Sequence, residues 1–347
     1  MSRIVAELLE RNLVVEKGAE NSTGGRPAAS LELSSGPKAI GVEIQNCEIR
    51  FAVSTLSGTL TDQVSFPTPS SARETVSLIA EQVERYCSAY GRKRIHGMGV
   101  SARGIVNANI GMLEIGNRPG WVNIPLRQML ESAIRMPVFI ENDVRIAAMA
   151  EYNYTAAGEQ APHCLLFVHV DEGVGVGIIL NGELYTGASI SAGEFGQMVI
   201  ADDGRTVRHD NPGCWEQLIS NQAVCRRYSN ASGRRAGAMS DSGTRVRKIC
   251  HEAMDGDPVS MRIVTETARY LAIGIANVVW GLNPEVVVVR SALNTAWPAL
   301  DDAIRNRFPD PAGWPSFRGL SVRPSLLDQH GVLIGAATLA FASLFRS

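Results

Sequence analysis

Residues Leu165–Met198 read LLFVHVDEGVGVGIILNGELYTGASISAGEFGQM, and the fold depends on how this stretch is taken. Leu165, Leu166, Phe167 and Val168 form the continuous apolar run that a strand buried on both faces requires. Gly173, Gly175 and Gly177 then alternate with Val174 and Val176, and Ile178–Leu180 supplies a second apolar run. Asn181-Gly182 marks a tight turn, because Asn and Gly reach positive φ at little cost. The stretch closes on Ala192-Gly193-Glu194-Phe195-Gly196, where bare backbone admits a ligand and one carboxylate accepts hydrogen bonds from hydroxyls. A glycine-rich hairpin that merely twists has the same composition, so the chemistry must be argued from the rest of the chain.

Working outward, the 347 residues suffice for about two domains, each with its own core. Lys and Arg number 33 against 35 Asp and Glu, a balance that gives no global attraction to nucleic acid or anionic membrane. Any such binding has to be local. Six scattered cysteines without a CxxC pair or a secretory leader fit reduced thiols of a cytoplasmic protein. No apolar run reaches the ~20 residues that span a bilayer, and LIGAATLAFASLF near the end suits a core helix. A soluble protein is expected.

Ile4, Val5, Leu8 and Leu9 fall at helical spacing, with Arg3, Glu7, Glu10 and Arg11 opposite. Leu13-Val14-Val15 and Ser30–Leu33 read as short strands flanking a tip, Glu16–Ala29, that contains Ser22-Thr23-Gly24-Gly25-Arg26-Pro27. Helix then ribbon is the second half of a winged helix. The helices that would brace it from in front do not precede residue 1, for which a start site assigned too far downstream would account.

From Pro37 the pattern predicts a meander at Ala39–Ile44, Glu48–Ser54 and Thr59–Ser65, and an amphipathic helix over Ser70–Tyr90. It continues with a strand Ile95–Ser101, a helix Leu126–Arg135, a strand Val138–Ile140 and a helix Val144–Ala157. This β-β-β-α-β-α-β order is the layout of an actin-like, ribonuclease-H-like half. After the central hairpin come a helix Trp215–Tyr228, an Arg-rich stretch Arg226–Lys248 taken as a solvated loop, and helices through Asp257–Gly281. Val286–Val289 is a β-branched run suited to a buried parallel strand, followed by a strand near Leu320–Val322 and a last helix Val332–Phe345. Two similar α/β halves place a ligand in a cleft at their strand ends.

With these pieces in order the sequence resembles the ROK family of repressors, open reading frames and kinases, over essentially its whole length. The marks are Ser101-Ala102-Arg103-Gly104, Asn117-Arg118-Pro119-Gly120-Trp121, Glu141-Asn142-Asp143, Ala192-Gly193-Glu194, Gly213-Cys214-Trp215-Glu216 and Asn283-Pro284-Glu285. The resemblance implies an α/β, actin-like (ribonuclease-H-like) two-lobed sugar-kinase fold preceded by a partial winged-helix segment. In this layout residues 1–36 form the recognition helix and wing. Residues 37–143, with the C-terminal helix 332–347, form the first lobe, and 144–331 the second.

The resemblance also implies the chemistry. Asn142 and Asp143 match the family's sugar-contacting pair, Asp143 taking the place of the kinases' general base, and Glu194 and Glu216 match two further hydroxyl-binding carboxylates. Asn and Asp equally suit a helix N-cap, and a Glu early in a helix suits the dipole. Against the kinases' Asp-Ile-Gly-Gly-Thr phosphate hairpin stands Glu43-Ile44-Gln45-Asn46-Cys47, and against Gly-Thr-Gly stands Asp171-Glu172-Gly173. Arg290-Ser291-Ala292 replaces the Gly-Gly that admits adenosine. Backbone N–H groups that would wrap a phosphate are thus lost and carboxylates put in their place, so ATP is not expected. The family's structural zinc site is degenerate as well. Gln197 stands for its His, and Val207, His209 and Cys214 occupy cysteine positions, too few ligands for a tetrahedron. Gln197 keeps the capacity to hydrogen-bond a sugar hydroxyl.

The expectation is a sugar-responsive transcriptional regulator, a repressor, with a non-catalytic, kinase-like carbohydrate-binding cleft. Its partners would be a DNA operator, through Ser2, Arg3 and Arg26, and a small sugar or phosphosugar effector. A homodimer or homotetramer is expected, and no membrane. The alternatives are an ATP-dependent sugar kinase with diverged phosphate loops, in which Asp143 is the base, and a degenerate protein acting only through subunit contacts.

Overall fold

The computed structural model describes residues 3–19, 29–156, 161–201, 213–233, 241–308 and 319–345. Helix α1 (Arg3–Glu10) leads into an antiparallel ribbon, β1 (Val14–Ala19) and β2 (Ala29–Leu33), with Val14 opposite Leu33. No residue of α1 is buried; Ile4 is 69% exposed. Leu13, by contrast, is buried among Ala39, Leu56, Ala337 and Phe341, which pins the segment to the body of the chain.

Strands β3 (Lys38–Ile44), β4 (Glu48–Thr55) and β5 (Leu60–Pro67) form the meander, and helix α2 (Ala72–Tyr90) comes next. Ser71 and Glu74 cap α2 reciprocally, each side chain taking the other's backbone N–H. Strand β6 (Ile95–Ala102) pairs parallel with β3, as expected of a buried strand. Then comes a piece that sequence periodicity misses: β7 (Gly104–Asn107), β8 (Met112–Gly116) and β9 (Val122–Ile124), a small antiparallel sheet of its own. Helix α3 (Leu126–Ile134) leads to β10 (Val138–Asn142), parallel to β6, and α4 (Asp143–Glu151) starts without an intervening loop. The first large sheet thus has the order β10-β6-β3-β4-β5.

Strands β11 (Cys164–Val170) and β12 (Val174–Leu180) are the predicted hairpin, turned at Asp171–Gly173, and the turn at Asn181 and Gly182, with φ of 52° and 81°, leads from β12 to β13 (Glu183–Leu184). The helix expected over Trp215–Tyr228 is two, α5 (Trp215–Ile219) and α6 (Asn221–Ser232), because Ser220 leaves helical geometry and caps Ala223. The Arg-rich stretch is not a loop throughout. Arg245, Arg247 and Lys248 ride on α7 (Ser242–Met254), which buries Val246, Ile249 and Cys250 on its other side. Helix α8 (Pro258–Leu282) is capped by Asp257 and hands over to β14 (Val286–Ser291). Helix α9 (Trp297–Arg305) and β15 (Ser321–Pro324) complete this part, with β14 lying parallel between β11 and β15. The second large sheet has the order β13-β12-β11-β14-β15, and α10 (Gly331–Phe345) ends the described chain.

The chain divides into one unit of Met1–Ala150 with Gln329–Ser347 and another of Glu151–Asp328. Helix α4 therefore stays with the first unit up to Ala150, and α10 joins it by packing on β3 and β6. The first core centres on Ile40, Val42, Phe51, Ile79, Met98, Val100 and Ile140. The second centres on Leu166, Val168, Trp215, Leu271, Ile275 and Val289. Each fully buried aliphatic or aromatic side chain contributes about 1.5–3 kcal/mol. Among the described residues no helix is long and apolar enough to cross a membrane.

Candidate functional site

In the first unit the expected pair sits where β10 becomes α4. Strand β10 runs parallel to β6 with Asn142 beside Ala102, so Asn142 arrives at the carboxyl end of the strand next to the turn at Gly104. Its Oδ1 accepts the N–H groups of Val144 at 3.0 Å and Arg145 at 3.3 Å, and its Nδ2 donates to the Gly104 carbonyl at 3.0 Å. Asn142 is thus an N-cap for α4, and it retains a second amide hydrogen. Replacing it by alanine is expected to cost about 0.5–2 kcal/mol through the lost cap. Urea melts would show this, and an unchanged midpoint would remove the capping role.

Asp143 is 8% exposed and pairs with Arg103, Oδ2 to Nε at 3.4 Å. Its neighbour Glu141 is more deeply buried. It accepts the Asn142 N–H at 2.7 Å and an Arg145 guanidinium N–H at 3.3 Å, yet burial still pushes its carboxyl above the usual carboxylate range. Arg103 and Arg145, which hold the two acids, carry no signal in the sequence that would name their partners.

In the second unit Glu194, Gln197 and Glu216 are gathered at the Val174–Val176 end of β12. Val176 N donates to the Gly193 carbonyl at 2.9 Å, and side chains at Gly193 or Gly196 would overlap the Val176 and Val174 carbonyl oxygens. The two glycines are required by this backbone approach, a cause separate from the ligand access that the sequence leads one to expect. Glu194 is exposed and begins the 3-10 turn Phe195–Gln197. Glu216, in the first turn of α5, reaches across Gly173 and accepts the Val174 N–H at 3.0 Å. Cys214 is buried and donates its thiol to the Gln197 carbonyl at 3.4 Å; burial and the nearby Glu216 push that thiol up. His209 and Val207 lie outside the described residues, among which no group of three His, Cys, Asp or Glu is placed to hold a metal ion. Ser2 and Arg26 also lie outside them, while Arg3 opens α1 and is exposed.

The three stretches where the resemblance implies nucleotide contacts are each occupied by bonds of the chain itself. Glu43 is buried and neutralised by Arg50 at 2.9 Å, with Gln45 Nε2 donating to it at 2.7 Å. The turn after it is closed by Gln45 N to the Glu48 carbonyl at 2.9 Å and by Thr68 Oγ1 to the Gln45 carbonyl at 2.9 Å. In the second stretch, Asp171 accepts from Asn221 Nδ2 at 2.8 Å, and Glu172 accepts from Gln222 at 2.6 Å and from the Ser242 hydroxyl. Two carboxylates therefore face the N-termini of α6 and α7, places where helix dipoles and N–H groups favour an anion. In the third, Arg290 bonds to His169 Nε2 at 3.0 Å, and Ser291 caps Leu293 at 3.1 Å.

A model of the family described as "ROK family" matches residues 39–343. The chain is 26% identical to the putative xylose repressor of Caldicellulosiruptor sp. (strain Rt8B.4), over 99% of this chain and 88% of that protein. It is 28% identical to the glucokinase of Streptomyces coelicolor, over 87% of this chain and 96% of that enzyme. The solved structure of a "ROK family transcriptional regulator, homolog of E.coli MLC protein" superposes with a TM-score of 0.78 at 22% identity, covering 98% of this chain and 87% of that one. The fold is accordingly the α/β, sugar-kinase-like fold that the sequence leads one to expect.

Proposed function

Because the chain belongs to the ROK family, we propose that it is a sugar-responsive transcriptional regulator, a repressor, whose kinase-like core binds a carbohydrate without phosphorylating it. The observation that carries this is the self-occupation of the phosphate positions. Asp171 and Glu172 put fixed negative charge at two helix N-termini, and a polyphosphate there would meet repulsion as well as the loss of the Asn221, Gln222 and Ser242 bonds. The front of the chain supports the same assignment. The repressor relative aligns with nearly all of this chain and the glucokinase with less, while the family model begins at residue 39, behind α1 and the β1–β2 ribbon.

In this proposal Asn142, Asp143, Glu194, Gln197 and Glu216 receive sugar hydroxyls, Asp143 as acceptor and not as base. Arg3, with Ser2 and Arg26, meets operator DNA: base edges from the helix, phosphate or minor groove from the tip. Sugar binding shifts the population of DNA-competent oligomers, dimers or tetramers. The second reading is an ATP-dependent sugar kinase, favoured by the glucokinase relative and by Asp143.

A coupled assay with Mg-ATP and a panel of hexoses separates the two. No turnover above background is expected from the wild type. Sugar at about a hundred times its Kd should stabilise the protein by about 2.7 kcal/mol, and Asp143→Asn should weaken that sugar by about tenfold or more. Turnover that Asp143→Asn abolishes would reverse the assignment in favour of the kinase. DNA from the region upstream of the gene, followed by fluorescence anisotropy, should bind and respond to the same sugar.

A further inference from the structure

Resting on the sugar-binding proposal above, we infer that the effector carries an anionic substituent, a phosphate or a carboxylate, and that Arg118 receives it. Strand β8 ends at Gly116, and the chain turns through Asn117–Gly120 to Trp121. Trp121 N donates to the Arg118 carbonyl at 3.1 Å and Gly116 N to the Trp121 carbonyl at 2.7 Å, so the turn is closed on itself. Trp121 is 3% exposed, and the Arg118 guanidinium lies over its ring, 5.4 Å from the centroid.

Among the described residues Nη1 of Arg118 and Nε1 of Trp121 are buried donors with no acceptor, and no carboxylate stands within ion-pair range of Arg118. A buried donor left unpaired is costly, and more so when charged; the residue is half-buried and the rest of its guanidinium has no hydrogen-bond partner among the described residues, so an acceptor from another molecule can reach it there.

The turn adjoins the Asn142–Asp143 junction. Gly116 lies opposite Gly104 in the β7–β8 pair, and it is the Gly104 carbonyl that holds the Asn142 amide. A side chain at Gly104, whose φ is 122°, would overlap the Ile115 carbonyl oxygen, so the two strands and the junction are fixed at close range. Charge is matched at the junction itself, Arg103 against Asp143 and Arg145 against Glu141. Among the described residues of the turn and junction, Arg118 is left as the cation in excess. Hydroxyls of a sugar suit Asn142 and Asp143, whereas a planar guanidinium stacked on an indole suits the paired oxygens of a phosphate or carboxylate.

Isothermal titration on the full chain tests this with matched sugars: glucose, glucose 6-phosphate and glucuronate, and N-acetylglucosamine with its 6-phosphate. At least one acidic member is expected to bind about tenfold or more tightly than its neutral parent, the phosphate and carboxylate arms telling which acid is used. Arg118→Gln should bring the acidic-to-neutral affinity ratio close to one. Arg118→Lys, which keeps the charge but loses the fork, should leave an intermediate ratio. Equal affinity for neutral and acidic sugars, or a preference that survives Arg118→Gln, overturns the inference while the sugar-sensing proposal stands. If no sugar of either kind binds, both fall. The wild-type comparison and Arg118→Lys keep the test decisive should the Gln variant fail to fold.

Discussion

Glu151→Ala is expected to destabilise the second unit by about 3–5 kcal/mol, the cost typical of breaking a buried ion pair from one side. The Glu151 carboxylate is fully buried at the first residue of that unit. Oε2 meets Arg323 at 3.4 Å and the Thr155 hydroxyl at 2.8 Å, while Oε1 takes the Ser325 hydroxyl and the Leu327 N–H, the latter at 3.2 Å. Alanine would leave the Arg323 charge half-buried and the Ser325 hydroxyl and Leu327 N–H without this acceptor, while Thr155 keeps its bond to the Glu151 carbonyl at 2.6 Å; removing one partner therefore costs more than the pair itself is worth. Glu151→Gln retains an acceptor oxygen and should lose less. Urea denaturation read through Trp215, buried in the same unit, makes the comparison. An alanine variant within about 1 kcal/mol of wild type would mean that water or a shifted Arg323 replaces the cluster.

The other large effect is expected at Gly99, where alanine should destabilise the first unit by about 3 kcal/mol or more, at or beyond the usual range for overpacking. Strand β6 and helix α10 approach so closely there that a Cβ would overlap the backbone carbonyl oxygen of Ala336. The obstacle is main chain, not the end of a movable side chain, so relief requires the helix to lift from the sheet. That also disturbs Leu333, Ala336, Ala337 and Ala340, all buried on the same helix. A melting temperature unchanged in Gly99→Ala would show that the helix does not sit on the sheet at this distance.

Much of the architecture is legible where one segment determines its own geometry. The runs Leu165–Val168 and Ile178–Leu180, with the Asn181-Gly182 turn after them, are such a case, and Val286–Val289 is another: residue type, local turn chemistry and burial agree. Legibility fails where the cause lies far along the chain. Gly193 and Gly196 read as access for a ligand, but what excludes a side chain is the backbone of β12, well back along the chain at Val174 and Val176. The strands at Gly104–Asn107, Met112–Gly116 and Val122–Ile124 are too short for alternation to register. On α7 the charges of Arg245, Arg247 and Lys248 mask the helical spacing of Val246, Ile249 and Cys250. At the candidate site, Asn142-Asp143 stands out by its resemblance to a known motif. Capping of α4 by Asn142 is one of the uses that its residue type allows; that Arg103 and Arg145 hold the adjacent acids is pairing that only three-dimensional structure reveals.

The placement of α10 has a consequence for biosynthesis. The ribosome delivers β3, β6 and β10 early, yet the helix that roofs them is translated only after all of Glu151–Asp328. At about 5–20 residues per second the nascent first unit waits several seconds or longer with one apolar sheet face bare. The intervening segment, being continuous, can meanwhile fold to completion. Newly made chains halted in that interval should therefore be clients of chaperones, and their dependence should end abruptly once the last helix has cleared the exit tunnel.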